Sequence, residues 1–336
     1  MTKKPNTNTF LPGQVSAVIP VYNEERYLRE TLDSVVHQVD CVIISDNAST
    51  DGTEAICREY MQRYSHIQYF KNEINIGSIK NIVLLYEKVK TEFVFHLGAH
   101  DLIPRGYVEE LKNTIKTDQE AICAFADSMN FDHHGNEKRL VFPNGQAFLE
   151  DARSPNPYFR AYSFIENHFW WLPIYGLFRA EMFLPIAKNF QPISNCDAAI
   201  LFESLLHGKI LHSPSTVYRR RDNHLNETGN EYYDDAMKRV CGESNEPLPR
   251  LHDLHPFVKQ VFLAYENYNN PKYLDTKSKY HFLLKLKLCA ITGEKTGYLF
   301  YDLRIQLKLF WKKFAVYCKT NFLPSCFKKE KYRKKT

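Results

Sequence analysis

The chain lacks most of the signatures that settle a function at a glance. It has eight cysteines in 336 residues, but none forms a Cys-x-x-Cys pair, so no structural zinc site is expected. The thiols (Cys41, Cys57, Cys123, Cys196, Cys241, Cys289, Cys318, Cys326) are scattered, several within apolar runs. There cysteine behaves as a small buried hydrophobe, and a reducing compartment is expected. No run of about 18 apolar residues occurs, so no spanning helix is expected. Met1 to Gln14 is polar and lacks the apolar segment of a secretory signal. No glycine-rich GxGxxG turn follows the first apolar strand; Pro20-Val21-Tyr22-Asn23-Glu24-Glu25 stands there instead. Two carboxylates at a helix start repel a pyrophosphate, which argues against a dinucleotide-binding fold. There is no internal repeat, and no nucleic-acid motif accompanies the basic residues, so a nucleic-acid partner is not expected.

What is present is an ordinary globular composition, 44% hydrophobic and 25% charged. The length suits one large domain with an appendage, or two domains. The net charge of +5 is unevenly spread. Residues 296–336 hold 11 Lys/Arg and 2 Asp/Glu, a balance of +9, which leaves −4 for the rest. An anionic partner is therefore expected for the tail alone.

Strands and helices alternate through the first 130 residues. The apolar strand Val15 to Pro20 runs into Val21-Tyr22-Asn23-Glu24-Glu25, with Asn23 expected to cap a helix whose inward stripe is Leu28, Thr31, Leu32, Val35 and Val36. Val42 to Ile44 runs into Ser45-Asp46-Asn47-Ala48-Ser49-Thr50-Asp51-Gly52, then a helix from about Thr53 to Tyr64. A strand at Ile67 to Phe70, a turn at Asn75-Ile76-Gly77 and a helix with Ile79, Ile82, Val83 and Tyr86 on one side follow. Phe93 to Leu97 ends in Gly98-Ala99-His100-Asp101, Pro104 opens another helix, and Ala121 to Ala126 is a further strand. This is a βαβ series: an α/β fold, with a mostly parallel sheet flanked by helices. Between Ser128 and Pro157 the pattern breaks into loop with one hairpin. A helix from Asp197 to His207 is closed by Gly208, and the chain from about 235 reads as helical. Ligands of open α/β sheets sit beyond the carboxyl ends of the strands. The polar strand ends at Tyr22–Glu24, Asp46 and His100-Asp101 are accordingly expected to gather around one pocket. Its acidic character suits a base, a ribose hydroxyl or a divalent cation bridging a diphosphate.

The order VSAVIPVYNEERYLRETLDSV, VIISDNASTDGT, KNEINIGSIKN, FVFHLGAHDLIP closely resembles family 2 glycosyltransferases of the GT-A fold, strongly over residues 15 to about 115 and weakly to about 225. The resemblance implies inverting transfer of a sugar from a nucleotide donor, with Mn2+ or Mg2+ as cofactor. It implies a catalytic domain over 1–235, with a nucleotide-binding half at about 15–127 and an acceptor half at about 128–235. A helical region over 236–336 carries the basic tail. Carried over, Pro20, Tyr22 and Glu24 line the nucleoside pocket, and Asp46 accepts a hydrogen bond from the base with Asp51 supporting the loop. Asn75, Gly77 and Asn81 lie near the donor. Ala99-His100-Asp101 stands where many members carry an Asp-x-Asp motif, so one carboxylate survives. Asp101 is the expected metal ligand, His100 a second contact, and His224 a completing one. Asp197, at the start of its helix, is the expected general base, with Glu203 a weaker candidate. Arg220 or Arg221 would pair with phosphate. Phe169 to Arg179, with Trp170 and Trp171, would supply an aromatic acceptor wall.

In the tail, Leu303, Leu307, Phe310, Trp311, Phe314 and Cys318 share an arc of a helix over 299–318 rimmed by Arg304, Lys308 and Lys312. That pattern suits an anionic membrane surface. The expected protein is thus an inverting glycosyltransferase with a UDP-linked donor and a saccharide or lipid-linked saccharide acceptor, acting in surface polysaccharide synthesis. It would be cytoplasmic and peripheral on the inner face of the membrane. The alternatives are a nucleotidyltransferase and a non-catalytic nucleotide-sugar-binding partner in a glycan assembly complex.

Overall fold

The computed structural model describes residues 10–132, 136–139, 145–167, 172–189, 196–221, 255–273, 276–277 and 280–281. The chain divides into two compact units, Met1–Thr276 and Lys277–Thr336. The basic tail at 296–336 lies outside the described residues.

The first unit opens with β1 (Leu11–Val21), α1 (Leu28–Val35), β2 (Cys41–Asp46), α2 (Thr53–Arg63), β3 (Ile67–Lys71), α3 (Ser78–Lys88), β4 (Thr91–His96), α4 (Tyr107–Lys116) and β5 (Ala121–Phe131). It continues with β6 (Glu137–Arg139), α5 (Gly145–Asp151), α6 (Pro157–Glu166), β7 (Leu177–Arg179), α7 (Ala180–Ala187), α8 (Cys196–His207), β8 (Lys209–Arg221) and α9 (His255–Asn267). Among the described residues the sheet has eight strands in the order β3-β2-β1-β4-β7-β5-β6, with β8 pairing with β5. β1 runs parallel to β2 and β4, and β2 to β3. β7 is antiparallel to both β4 and β5, so it marks the change from the first βαβ series to the second half. The expected α/β sheet is present, and the expected hairpin is the antiparallel pair β5–β6.

β1 is central, and Val15, Ala17, Val18 and Ile19 are all buried, as a strand covered by helices on both faces requires. Leu28, Thr31, Leu32 and Val35 carry the inward face of α1. In α3, Ile79, Ile82 and Tyr86 are buried as expected; Leu85 joins them, while Val83 is only half-buried.

Three local expectations are corrected. Asn23 does not cap α1: it sits at φ 54°, a left-handed conformation that asparagine tolerates, and the helix begins only at Leu28. Pro104 does not open α4 directly; a turn through Gly106 at φ 85° comes first. Gly208 does follow α8, but not as a left-handed cap. A Cβ there would lie 2.6 Å from the Ile122 Cβ and 2.9 Å from its backbone nitrogen, so glycine serves the close approach of α8 to β5.

Candidate functional site

The first two loops past the sheet interlock. Ser49 Oγ accepts the Asn23 amide at 2.9 Å, Thr53 Oγ1 accepts the Glu24 amide at 2.8 Å, and Asp51 Oδ2 accepts the Glu25 amide at 3.1 Å. In return, Asn23 Oδ1 accepts the Thr50 amide at 2.9 Å and Glu25 Oε2 accepts the Gly52 amide at 2.7 Å. Burial opposes ionisation of Asp51. The hydrogen bonds from the Thr53 hydroxyl and from the Thr53 and Glu25 amides outweigh it and hold the carboxyl below the usual range.

Asp46 is fully buried at the end of β2. Its Oδ1 accepts the Ser49 amide at 2.7 Å and its Oδ2 accepts the Tyr69 hydroxyl at 2.8 Å. Burial, reinforced by that carboxylate, pushes the Tyr69 phenol upward. Asn75, Gly77 and Asn81 are gathered beside this strand end, in a network the sequence reading only half anticipated. Asn47 Nδ2 donates to Asn75 Oδ1 at 2.7 Å, and Asn75 Oδ1 also accepts the Gly77 amide at 2.9 Å. Asn81 Nδ2 donates to the Ser45 carbonyl at 3.0 Å, while its Oδ1 accepts from Ser45 Oγ and Asn72 Nδ2 at 2.6 and 2.9 Å. Asn47 and Asn72 were not singled out; the signal for Asn72 is three asparagines, Asn72, Asn75 and Asn81, around a glycine turn with Gly77 at φ 84°, and Asn47 joins them from the β2 loop.

Past β4, Asp101 is 2% exposed. Its Oδ2 accepts the Tyr218 hydroxyl at 2.7 Å and its Oδ1 accepts the Arg221 amide at 2.8 Å, so the carboxylate ties the end of β8 to the β4 loop. A Cβ at residue 98 would collide with this carboxylate, which explains the glycine. Tyr218 stacks on Tyr175 at 4.6 Å between centroids. Arg221 is not available to a phosphate: its Nε donates to the His100 carbonyl at 2.9 Å, it pairs with Glu30 at 2.6 Å, and its guanidinium lies between the rings of Tyr27 and Phe131. Arg220 instead reaches Tyr175 and acts electrostatically on His100. His100 Nδ1 meets Glu24 Oε1 at 3.0 Å, so the β1 and β4 strand ends do join. Burial opposes charge on this imidazole, but Glu24 and Asp101 carry its pKa above the ordinary value.

A cavity of about 330 Å³ opens between the ends of β1 and β4, the face of α3 and the start of α8. Pro20 and His96 come from the strands, and Ile79, Ile82 and Tyr86 form an apolar wall from α3. Tyr175 and Asp197 close the opposite side. Asp197 accepts the Ala198 amide at 2.8 Å, and burial raises its carboxyl pKa. Of the candidate site residues read from sequence, Pro20 and Asp197 line this cavity, as do Ile174 and Tyr175 of the Phe169–Arg179 segment; Asp46 and Asp101 do not, and each sits in its own hydrogen-bond network. Glu203 lies within α8, its carboxyl also raised by burial, and away from the cavity lining. Tyr22 stands half-buried just past β1. His224, Phe169, Trp170 and Trp171 lie outside the described residues.

Among the described residues, no group of three His, Cys, Asp or Glu side chains could hold a metal ion. Asp101 already accepts two protein hydrogen bonds, and the His100 Nδ1 is engaged by Glu24. The described residues alone do not complete an oxygen-rich shell for Mg2+ or Mn2+.

A mostly parallel sheet whose β1 and β4 ends open on a cavity, joined through a reversed strand to a second half that brings a carboxylate to the same opening, is the architecture of the GT-A fold. Residues 16–175 match the model of Glycosyl transferase family 2. The fold resembles that of S. aureus TarS 1-349, with TM-score 0.55 at 15% identity over 82% of this chain and 70% of that one. Similar curated sequences include the minor teichoic acid biosynthesis protein GgaB of Bacillus subtilis, 28% identical over 137 residues, or 37% of this chain and 15% of that protein. Another is the abequosyltransferase RfbV of Salmonella typhimurium, 34% identical over 97 residues, or 27% of this chain and 29% of that one. The chain thus spans less than a third of the length of these two relatives.

Proposed function

We propose that the protein is an inverting glycosyltransferase that moves one sugar from a nucleotide donor to a saccharide or lipid-linked saccharide acceptor in surface polysaccharide synthesis. The observation that carries this reading is the shared cavity. The end of β1, expected to meet the nucleoside, and Asp197, expected to act as base, face the same space. Asp197 takes the proton of the acceptor hydroxyl as that oxygen attacks the anomeric carbon, and the bond to the nucleoside diphosphate breaks on the opposite face. Burial raises the carboxyl toward the range in which a base is effective near neutral pH. Arg220, beside Tyr175 and His100, faces the charge that develops on the departing diphosphate. The interlocked loops hold Tyr22 and the backbone around it for the nucleoside.

UDP is the first donor nucleotide to test, because TarS has been solved with UDP and with UDP-GlcNAc. Surface polysaccharide is the proposed setting because relatives bear names such as minor teichoic acid biosynthesis protein. The basic amphipathic segment at 296–336 is proposed to rest on an anionic membrane at its cytoplasmic face. No helix among the described residues is long and apolar enough to cross a membrane. Liposome sedimentation with and without residues 296–336 tests that contact, and equal pelleting removes it.

The enzyme is tested by release of nucleoside diphosphate from a panel of nucleotide sugars, with Mn2+ and with EDTA. Turnover with one donor supports the reading. Donor binding without turnover across all sugars and acceptors would favour a non-catalytic partner instead.

A further inference from the structure

One side chain in the cavity has no part in the reaction just described. His96 ends β4, opposite Val18 of β1 in the parallel register, and its ring faces Tyr175 at 6.0 Å between centroids. Its Nδ1 is buried and has no hydrogen-bond partner. Unpaired buried polar atoms are rare in folded proteins and ask for an explanation. A packing role does not supply one, because phenylalanine or leucine would fill the same space without an orphaned nitrogen. The adjacent strand positions Phe93, Val94 and Phe95 are all apolar and buried, so the histidine breaks the pattern of its own strand.

The ring chemistry then assigns a direction. Burial pushes the imidazole pKa down to about 4, with repulsion from His100 adding to it, so the ring is neutral and carries one N–H. An orphaned acceptor lone pair is better tolerated in a protein interior than an orphaned N–H. The proton therefore belongs on Nε2, and His96 lines the cavity. Ile79, Ile82 and Tyr86 also line the cavity, a largely apolar wall against which the hydrophobic face of a sugar ring can lie. The cavity, about 330 Å³, is at the small end of ligand pockets, the size for one sugar unit rather than a whole nucleotide sugar.

We propose that His96 is a sugar-reading residue, whose Nε2–H donates a hydrogen bond to one oxygen of the hexose being transferred while the α3 wall packs against the ring. This rests on the glycosyltransferase reading above and deepens it. His96 selects the sugar, whereas the strand-end loops hold the nucleotide and Asp197 acts on the acceptor.

The test is calorimetric titration of the full chain and of H96F and H96N with UDP, GDP, CDP and dTDP, and with hexose and N-acetylhexosamine conjugates of each. For the conjugate that the wild type binds more tightly than its bare diphosphate, H96F should lose about tenfold in affinity, the scale of one hydrogen bond. Binding of the bare diphosphate should stay within about twofold, and H96N, which keeps a donor, should recover part of the loss. H96F should also melt at or above the wild-type temperature, since it removes a buried orphan nitrogen; a purely structural histidine would show the reverse. Equal loss for diphosphate and conjugate, no loss for either, or a wild type that gains nothing from the sugar would each overturn the proposal. A wild type that binds no nucleotide at all would instead bring down the glycosyltransferase reading beneath it.

Discussion

Asp46 and Asp197 are both carboxylates beside the carboxyl ends of the sheet, and they sit in opposite circumstances. Asp46 is surrounded by donors, the Ser49 amide and the Tyr69 hydroxyl, each within 2.8 Å. Asp197 is met by backbone amides alone, its own and that of Ala198, and opens into a cavity, and burial raises its pKa. The same division runs through the unit. The acidic and amide side chains of the two N-terminal loops satisfy one another, while Asp197 and His96, whose Nδ1 has no partner, line the cavity. A fully buried carboxylate tied to neighbouring segments stabilises a loop; one that opens into a cavity is available to a substrate proton.

The sharpest way to break this contrast is Asp197→Asn. If Asp197 is the base, kcat should fall by about 10²–10⁴-fold, the usual contribution of general base catalysis, with KM for the donor little changed. The stability effect should run the other way. A carboxyl whose folded pKa lies above its unfolded value makes the fold less stable as pH rises through that interval. The wild type should therefore lose stability over that window and the Asn variant should not. The rate should rise with pH through the same raised pKa, because the base acts only when ionised. An Asn variant with full turnover, or one that simply unfolds, would erase the distinction between the two carboxylates.

Next in size is Asp101→Ala. Placed with the satisfied group, Asp101 is an anchor whose loss orphans the Tyr218 hydroxyl and the Arg221 amide. That should cost about 2–4 kcal/mol and lower the melting temperature by roughly 5 °C or more, equally with Mn2+ and with EDTA. A variant that melts like the wild type but loses a Mn2+-induced shift would move Asp101 to the other side of the comparison, as a metal ligand.

Much of this was legible in advance, for identifiable reasons. The β1–α1–β2–α2 order follows from apolar runs and helical stripes, and the stripe at Leu28, Thr31, Leu32 and Val35 is buried as its spacing requires. Asp197 entered the reading through the family resemblance, at the start of an apolar helix where capping alone would also place an aspartate. What stayed hidden were tertiary matters. Asn23 reads as a helix cap, yet its carboxamide crosses to the Thr50 amide 27 residues away, which no local pattern shows. Arg221 reads as a phosphate ligand, but Glu30 and two aromatic rings claim it from distant segments. His96 carried a faint signal, one polar residue closing an apolar strand.

The smallest expected effect is Glu24→Gln, and it sharpens the contrast because Glu24 stands at the boundary between the two groups. Its carboxylate reaches His100 across the strand ends, and with Asp101 it raises the imidazole pKa against the opposing effect of burial. A histidine with a raised folded pKa contributes stability that is fully present below its unfolded value, near 6.5, and is lost as pH rises through the folded one. His100 is about a third exposed, at 32%, so the pair is worth no more than about 0.5 kcal/mol after solvent screening. The Gln variant should therefore melt about 1–2 °C below the wild type at pH 6 and coincide with it at pH 9. A deficit that persists at pH 9 would mean that Glu24 serves the loops alone and belongs wholly with Asp46.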